Sequence, residues 1–89
     1  MLAPGAFLQD RYQIVAVLGH GGMGAVYQAT DRRLSQTVAI KQILHTHPLL
    51  QDAFIHEAQL LATLRHPALP KVTDYFVELT GQFLVMEFI

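Results

Sequence analysis

An α+β fold, an antiparallel sheet of five strands with one main helix, is what the chain predicts. Three observations carry that expectation. Five short runs rich in β-branched residues lack any helical period. Short polar or glycine-bearing turns join several of them as hairpins. One segment alone repeats its apolar residues at helical spacing.

Residues 1–10 read as a loose leader to a single domain over 11–89. The first strand is expected over 11–18, where Tyr12-Gln13-Ile14-Val15-Ala16-Val17-Leu18 is apolar and β-branched. A second follows at 25–30. The polar turn Asp31-Arg32-Arg33-Leu34-Ser35-Gln36 then leads to a third at 37–44. His45-Thr46-His47-Pro48 is a loop, since proline restricts the residue before it and suits a helix start. The helix spans roughly 51–64, with Phe54, Ala58, Leu61 and, alongside, Leu60 and Leu64 on one stripe. His66-Pro67 closes it, and Pro70 keeps the connection extended. Strands over 71–78 and 82–88 form a last hairpin around Leu79-Thr80-Gly81.

Between the first two strands lies Gly19-His20-Gly21-Gly22-Met23-Gly24-Ala25-Val26, the pattern G-x-G-x-x-G-x-V. Glycines suit a loop whose backbone N–H groups approach an anion, because they reach φ > 0 and lack a Cβ. A dinucleotide-binding turn requires a helix straight after the glycines and an acidic residue about 20 positions on. Here a strand follows, and that region holds Lys41. A Walker A loop ends in Gly-Lys-Ser/Thr, where this chain has Gly24-Ala25-Val26. What remains is a strand-to-strand glycine loop, either a phosphate cradle or an ordinary turn.

Lys41 interrupts the apolar run Thr37-Val38-Ala39-Ile40-Lys41-Gln42-Ile43-Leu44. Val38 and Ile40 share one face of such a strand, Ala39 and Lys41 the other. A small alanine beside the lysine leaves space for something flat. An edge strand guarded by a lysine is the other reading. On the helix, Glu57 falls inside the apolar stripe, while His56, Gln59 and Thr63 fall opposite. A carboxylate in a packing stripe is costly unless a cation meets it, and Lys41 is the natural partner. Alternatively Glu57 sits at the stripe's margin and reaches water.

Glycine loop, strand lysine and helical glutamate together resemble the phosphate-side equipment of a protein kinase. Val38-Ala39-Ile40-Lys41 matches the family's V-A-I-K. Gly21-Gly22-Met23-Gly24 and Leu64-Arg65-His66-Pro67 are similar to the bacterial branch of serine/threonine protein kinases. Leu84-Val85-Met86-Glu87-Phe88-Ile89 resembles the strand and hinge that carry adenine. The resemblance runs from Tyr12 to Ile89 and implies the small, N-terminal lobe of that fold. It implies ATP as ligand, covered by Gly19, His20, Gly21, Gly22, Met23, Gly24 and Ala25. Leu18 and Val26 would lie over one face of the adenine, with Ala39 leaving room. Lys41 would contact the α/β-phosphates and Glu57 would hold the lysine. Met86 would be the gatekeeper, and the main chains of Glu87 and Ile89 would bond the base. Leu61 and Val72 would stack in the regulatory hydrophobic column. His66 would tether the helix end.

Motifs resembling H-R-D-L-x-x-x-N, D-F-G and A-P-E do not occur in the chain. The catalytic base, the ligands of Mg²⁺ and the docking surface for a protein substrate are therefore expected in a second lobe outside it. By itself the piece is expected to transfer no phosphate and to bind ATP no better than roughly millimolar.

Composition sets further bounds. Of 89 residues 52% are hydrophobic and 15% charged, a surplus of apolar surface suited to a missing packing partner. Mean hydropathy is +0.30. The apolar run over 83–89 is expected to leave an uncovered strand edge that promotes self-association. A net charge of −1 without a basic run argues against nucleic acid. The absence of cysteine excludes disulfides and thiolate chemistry and suits a cytoplasmic location. No run reaches the roughly 18 apolar residues of a membrane span. Met1-Leu2-Ala3-Pro4-Gly5 lacks the basic start of a signal peptide. His45 and His47 have no acidic companion nearby in sequence and read as a solvated pair, so no metal ligand is assigned. Two functional readings stand: the ATP-binding lobe of a serine/threonine protein kinase, or a non-catalytic nucleotide-binding or interaction module. The intact Lys41, Glu57 and glycine loop favour the first.

Overall fold

The structure is a computed structural model and describes residues 2–21, 24–43 and 71–88. These segments hold six strands: β1 (Phe7–Leu8), β2 (Tyr12–Gly21), β3 (Gly24–Asp31), β4 (Gln36–Ile43), β5 (Val72–Glu78) and β6 (Gly81–Glu87). They form one antiparallel sheet in the order β1-β2-β3-β4-β6-β5. The expected helix, with Glu57 and Leu61 on it, and His66 lie outside the described residues, as do Gly22, Met23 and Ile89.

The sixth strand corrects the expectation of five, and of a loose leader. Phe7 and Leu8 pair with Gln13 and Tyr12. The connection turns through Gln9 and Asp10, whose φ values of 55° and 50° are those a type I′ turn requires. The Arg11 N–H closes it onto the Leu8 carbonyl at 3.0 Å. Upstream, Gly5 donates to the Ile14 carbonyl and Ile14 to that of Ala6, each at 2.8 Å. Burial of Leu8 then fixes the segment on the core.

Alternation along the strands builds that core. Ala25, Tyr27, Ala29 and Asp31 turn inward from β3, and Val38, Ile40 and Gln42 from β4. The apolar ones meet Leu8, Tyr12, Ile14, Phe83 and Val85 in one cluster. Phe76 stacks between Tyr12 and Phe83, with ring centroids at 5.9 and 5.2 Å. The stack draws the two ends of the sheet together. Tyr12 donates its hydroxyl to Asp74 at 2.8 Å, and Gln9 gives both its main-chain N–H and its Nε2 to Glu78 at 2.9 Å. A second, smaller cluster of Val72 and Leu84, joined by Ile43 and Met86, uses other residues of β4, β5 and β6.

Two expectations about edges fail for the same reason. β4 lies between β3 and β6, so Lys41 does not guard an edge. β6 lies between β4 and β5, with Phe83, Leu84 and Val85 buried, so this strand offers no uncovered edge. The β3–β4 turn is the predicted polar one. Its first residue, Asp31, is buried and accepts N–H bonds from Arg33 and Leu34 at 3.0 and 3.3 Å. Arg11 grips the same carboxylate through two bonds of 3.0 and 2.8 Å. That grip holds the Asp31 carboxyl below the usual carboxylate range, against burial, which pushes it up.

Candidate functional site

The glycine segment is a strand-to-strand hairpin, as its neighbours in sequence required. A register shift between Val17 and Gly19 leaves half-exposed Leu18 out of the ladder. Beyond it Gly19 faces Val26, His20 faces Ala25 and Gly21 faces Gly24. Pairing thus continues to Gly21–Gly24. Val26 in turn faces Lys41 on β4, and Lys41 faces Leu84 on β6.

Lys41 and Val26 share a cleft of about 520 Å³ with Gly19, His20, Gly24 and Ile43. Its surface is mainly apolar. Lys41 is exposed, on the side of β4 opposite the buried Val38 and Ile40, as the strand period predicted. The site therefore offers a cation at one place and apolar walls elsewhere.

The two described glycines at the cleft differ in what their neighbours demand. A Cβ on Gly24 would lie 1.9 Å from the Gln42 main-chain oxygen, so the backbones of β3 and β4 approach too closely there for any other residue. A Cβ on Gly19 would meet nothing within 4 Å. Gly19 leaves open space on the cleft.

Sequence reasoning missed Gln42, whose main chain abuts Gly24 and whose side chain is buried. Its carboxamide oxygen accepts the Tyr27 hydroxyl, and its Nε2 donates to the Thr80 carbonyl at 2.8 Å. The signal was available: Val38, Ile40 and Gln42 share one strand face, so a polar residue there must be buried and bonded.

Other predicted residues stand apart from this cleft. Ala39 pairs with Met86, which packs on the Val72–Leu84 cluster. Glu87 is exposed; its N–H donates to the Lys71 carbonyl at 2.9 Å. Glu57, the expected partner of Lys41, is outside the described residues, and so is Ile89. Among the described residues no group of three or more histidines and carboxylates could hold a metal ion. None of their helices is long and apolar enough to cross a membrane.

Comparison with known proteins identifies the family and the fold. The protein kinase domain family matches residues 12–89. A probable serine/threonine-protein kinase of Streptomyces coelicolor is 40% identical over 92% of this chain and 13% of its own length. The serine/threonine-protein kinase pkn2 of Myxococcus xanthus is 38% identical over 100% of this chain and 11% of its own. The serine/threonine-protein kinase PknD of Chlamydia pneumoniae is 40% identical over 90% and 9%. The chain thus spans about a tenth of these relatives, in the kinase-domain region. The solved structure of PpkA-294 in its apo form superposes with a TM-score of 0.84 at 28% identity, over 99% of this chain and 38% of that one. With the family's match running over 12–89 and a fold shared with a solved relative, the chain belongs to the protein kinase family, among the bacterial serine/threonine kinases.

Proposed function

We propose that this chain is the ATP-binding lobe of a serine/threonine protein kinase whose complete form moves the γ-phosphate of ATP to a protein hydroxyl in the cytoplasm. The observation that carries the reading is the row Gly19–Val26–Lys41, which sets an open glycine backbone, an apolar wall and a cation along one cleft. The space beside Gly19 that a Cβ would fill suits a phosphate drawn close to main-chain N–H groups. When bound, ATP supplies the transferable phosphoryl group. The glycine segment from Gly19 to Gly24 covers its phosphates, and Lys41 neutralises charge on them. Glu57 holds Lys41. Leu18, Val26, Ala39 and Met86 enclose the adenine, and the main chains of Glu87 and Ile89 bond its edge. Mg²⁺, the catalytic base and the protein substrate are assigned to residues outside this chain.

Titration of the chain with ATP and with adenosine, followed by NMR, tests the nucleotide site. ATP is expected to bind more tightly than adenosine, with a dissociation constant no better than roughly millimolar, about 4 kcal/mol. Lys41→Met is expected to abolish the difference; equal binding of both ligands by the unaltered chain favours an interaction module instead. In a kinase read through beyond residue 89, Lys41→Met and Glu57→Gln should each sharply lower phosphoryl transfer, and the double variant should lose little more. Additive losses would argue against the pair. Phosphoryl transfer by the 89-residue chain itself, above its Lys41→Met control, overturns the assignment of the remaining machinery to another lobe.

A further inference from the structure

Gln42 follows Lys41 on β4 and turns to the opposite face of the strand. It is 2% exposed, and both ends of its amide are bonded. Oε1 accepts the hydroxyl of Tyr27, and Nε2 donates to the Thr80 carbonyl at 2.8 Å. The Tyr27 oxygen accepts the Leu2 main-chain N–H at 2.9 Å. Three bonds therefore run in series from the N-terminal segment, through β3 and β4, to the turn between β5 and β6. All pass on the core side of the strand that presents Lys41.

The same residue is fixed a second time, through its main chain. The Gln42 carbonyl oxygen occupies the place that a side chain on Gly24 would need, so the end of the glycine turn rests directly on it. A leucine or valine at position 42 would fill this inward site without any polar network. A bonded carboxamide does what an aliphatic side chain cannot: it fixes rotation of the strand as well as its depth, because hydrogen bonds are directional where apolar contacts are not.

We infer that Gln42, braced by Tyr27 and Thr80, is a positioning residue that sets the direction in which Lys41 leaves β4 and aims its ammonium along the cleft. The inference rests on the reading of Lys41 as the phosphate contact. Its effect is confined to phosphate recognition. Adenosine carries no phosphate, so its binding is indifferent to where the ammonium points.

The test compares ATP with adenosine on the whole 89-residue chain by NMR titration, for the unaltered protein and for Tyr27→Phe, Gln42→Met and Lys41→Met. The ratio of the two affinities is the readout, because a merely structural role lowers the folded fraction for both ligands alike. Tyr27→Phe and Gln42→Met are expected to cut the preference for ATP about tenfold, towards the Lys41→Met value, with spectra of a folded chain. Folded variants that keep the full preference overturn the inference and leave the nucleotide site standing. Should the variants unfold, the unaltered chain decides: as a side chain coupled to the phosphate contact, Gln42 is expected to shift its side-chain amide resonances on binding ATP and not on binding adenosine. Unmoved resonances overturn the inference. An unaltered chain that does not prefer ATP removes the nucleotide-site reading itself, and the positioning role with it.

Discussion

Gly24 and Gly19 belong to one motif and answer to different constraints. Spacing in the sequence named both, since G-x-G-x-x-G is legible as a string. Which of them packing requires was not legible, because that depends on how near the Gln42 carbonyl comes to β3. Gly24→Ala is expected to lower stability by about 3 kcal/mol in urea denaturation, since backbone must move to admit the methyl group. Gly19→Ala meets open space, and its backbone is not in the left-handed region, so stability should be unchanged or rise by about 0.5 kcal/mol. A Gly19→Ala chain that is stable yet weak for ATP would assign that glycine to the ligand. The face of β4 on which Lys41 stands was legible from strand parity. Gln42 was passed over, although its inward parity with Val38 and Ile40 announced a buried amide in need of partners.

The long strands were legible because each gives several turns of the two-residue period; their observed ends fall within three residues of those expected. β1 was not, since two residues show no period and Gln9-Asp10 lacks the glycine that marks a hairpin turn. Its anchor is Leu8, 1% exposed. Leu8→Ala should cost about 3 kcal/mol by thermal or urea unfolding, whereas a loose leader would tolerate it. The turn after β3 carries its own pH signature. Arg11, which also lies 5.0 Å over the Tyr12 ring, holds the folded Asp31 carboxyl below its unfolded value. The stability from this pair is therefore complete above the unfolded carboxylate pKa of about 4 and is lost as pH falls through the folded value. Arg11→Leu should move the acid-unfolding midpoint, followed by circular dichroism, to higher pH.

At the scale of the molecule, the kinase-like sheet was foreseeable from the order of motifs, and its closure was not. Tyr12 reaching Asp74, and Gln9 reaching Glu78, are contacts across 62 and 69 positions that no local pattern encodes. Burial, and then the bond to Asp74, push the Tyr12 hydroxyl well above its ordinary range. Its contribution is thus full below the unfolded tyrosine pKa of about 10 and is lost as pH rises through the folded value. Tyr12→Phe should cost about 1 kcal/mol at neutral pH and flatten the alkaline limb of the stability profile. The strand order has a further consequence, for biosynthesis. β1 to β4 leave the ribosome in the order in which they pair, but the neighbour of β4 in the finished sheet is β6, which is translated after β5. Until residues 81–87 emerge, the side of β4 that will pair with β6 has no sheet partner, and Gln9 waits for Glu78. The nascent chain accordingly passes through an interval with an open pairing edge beside Lys41, the kind of surface on which chaperones act and on which misassembly begins.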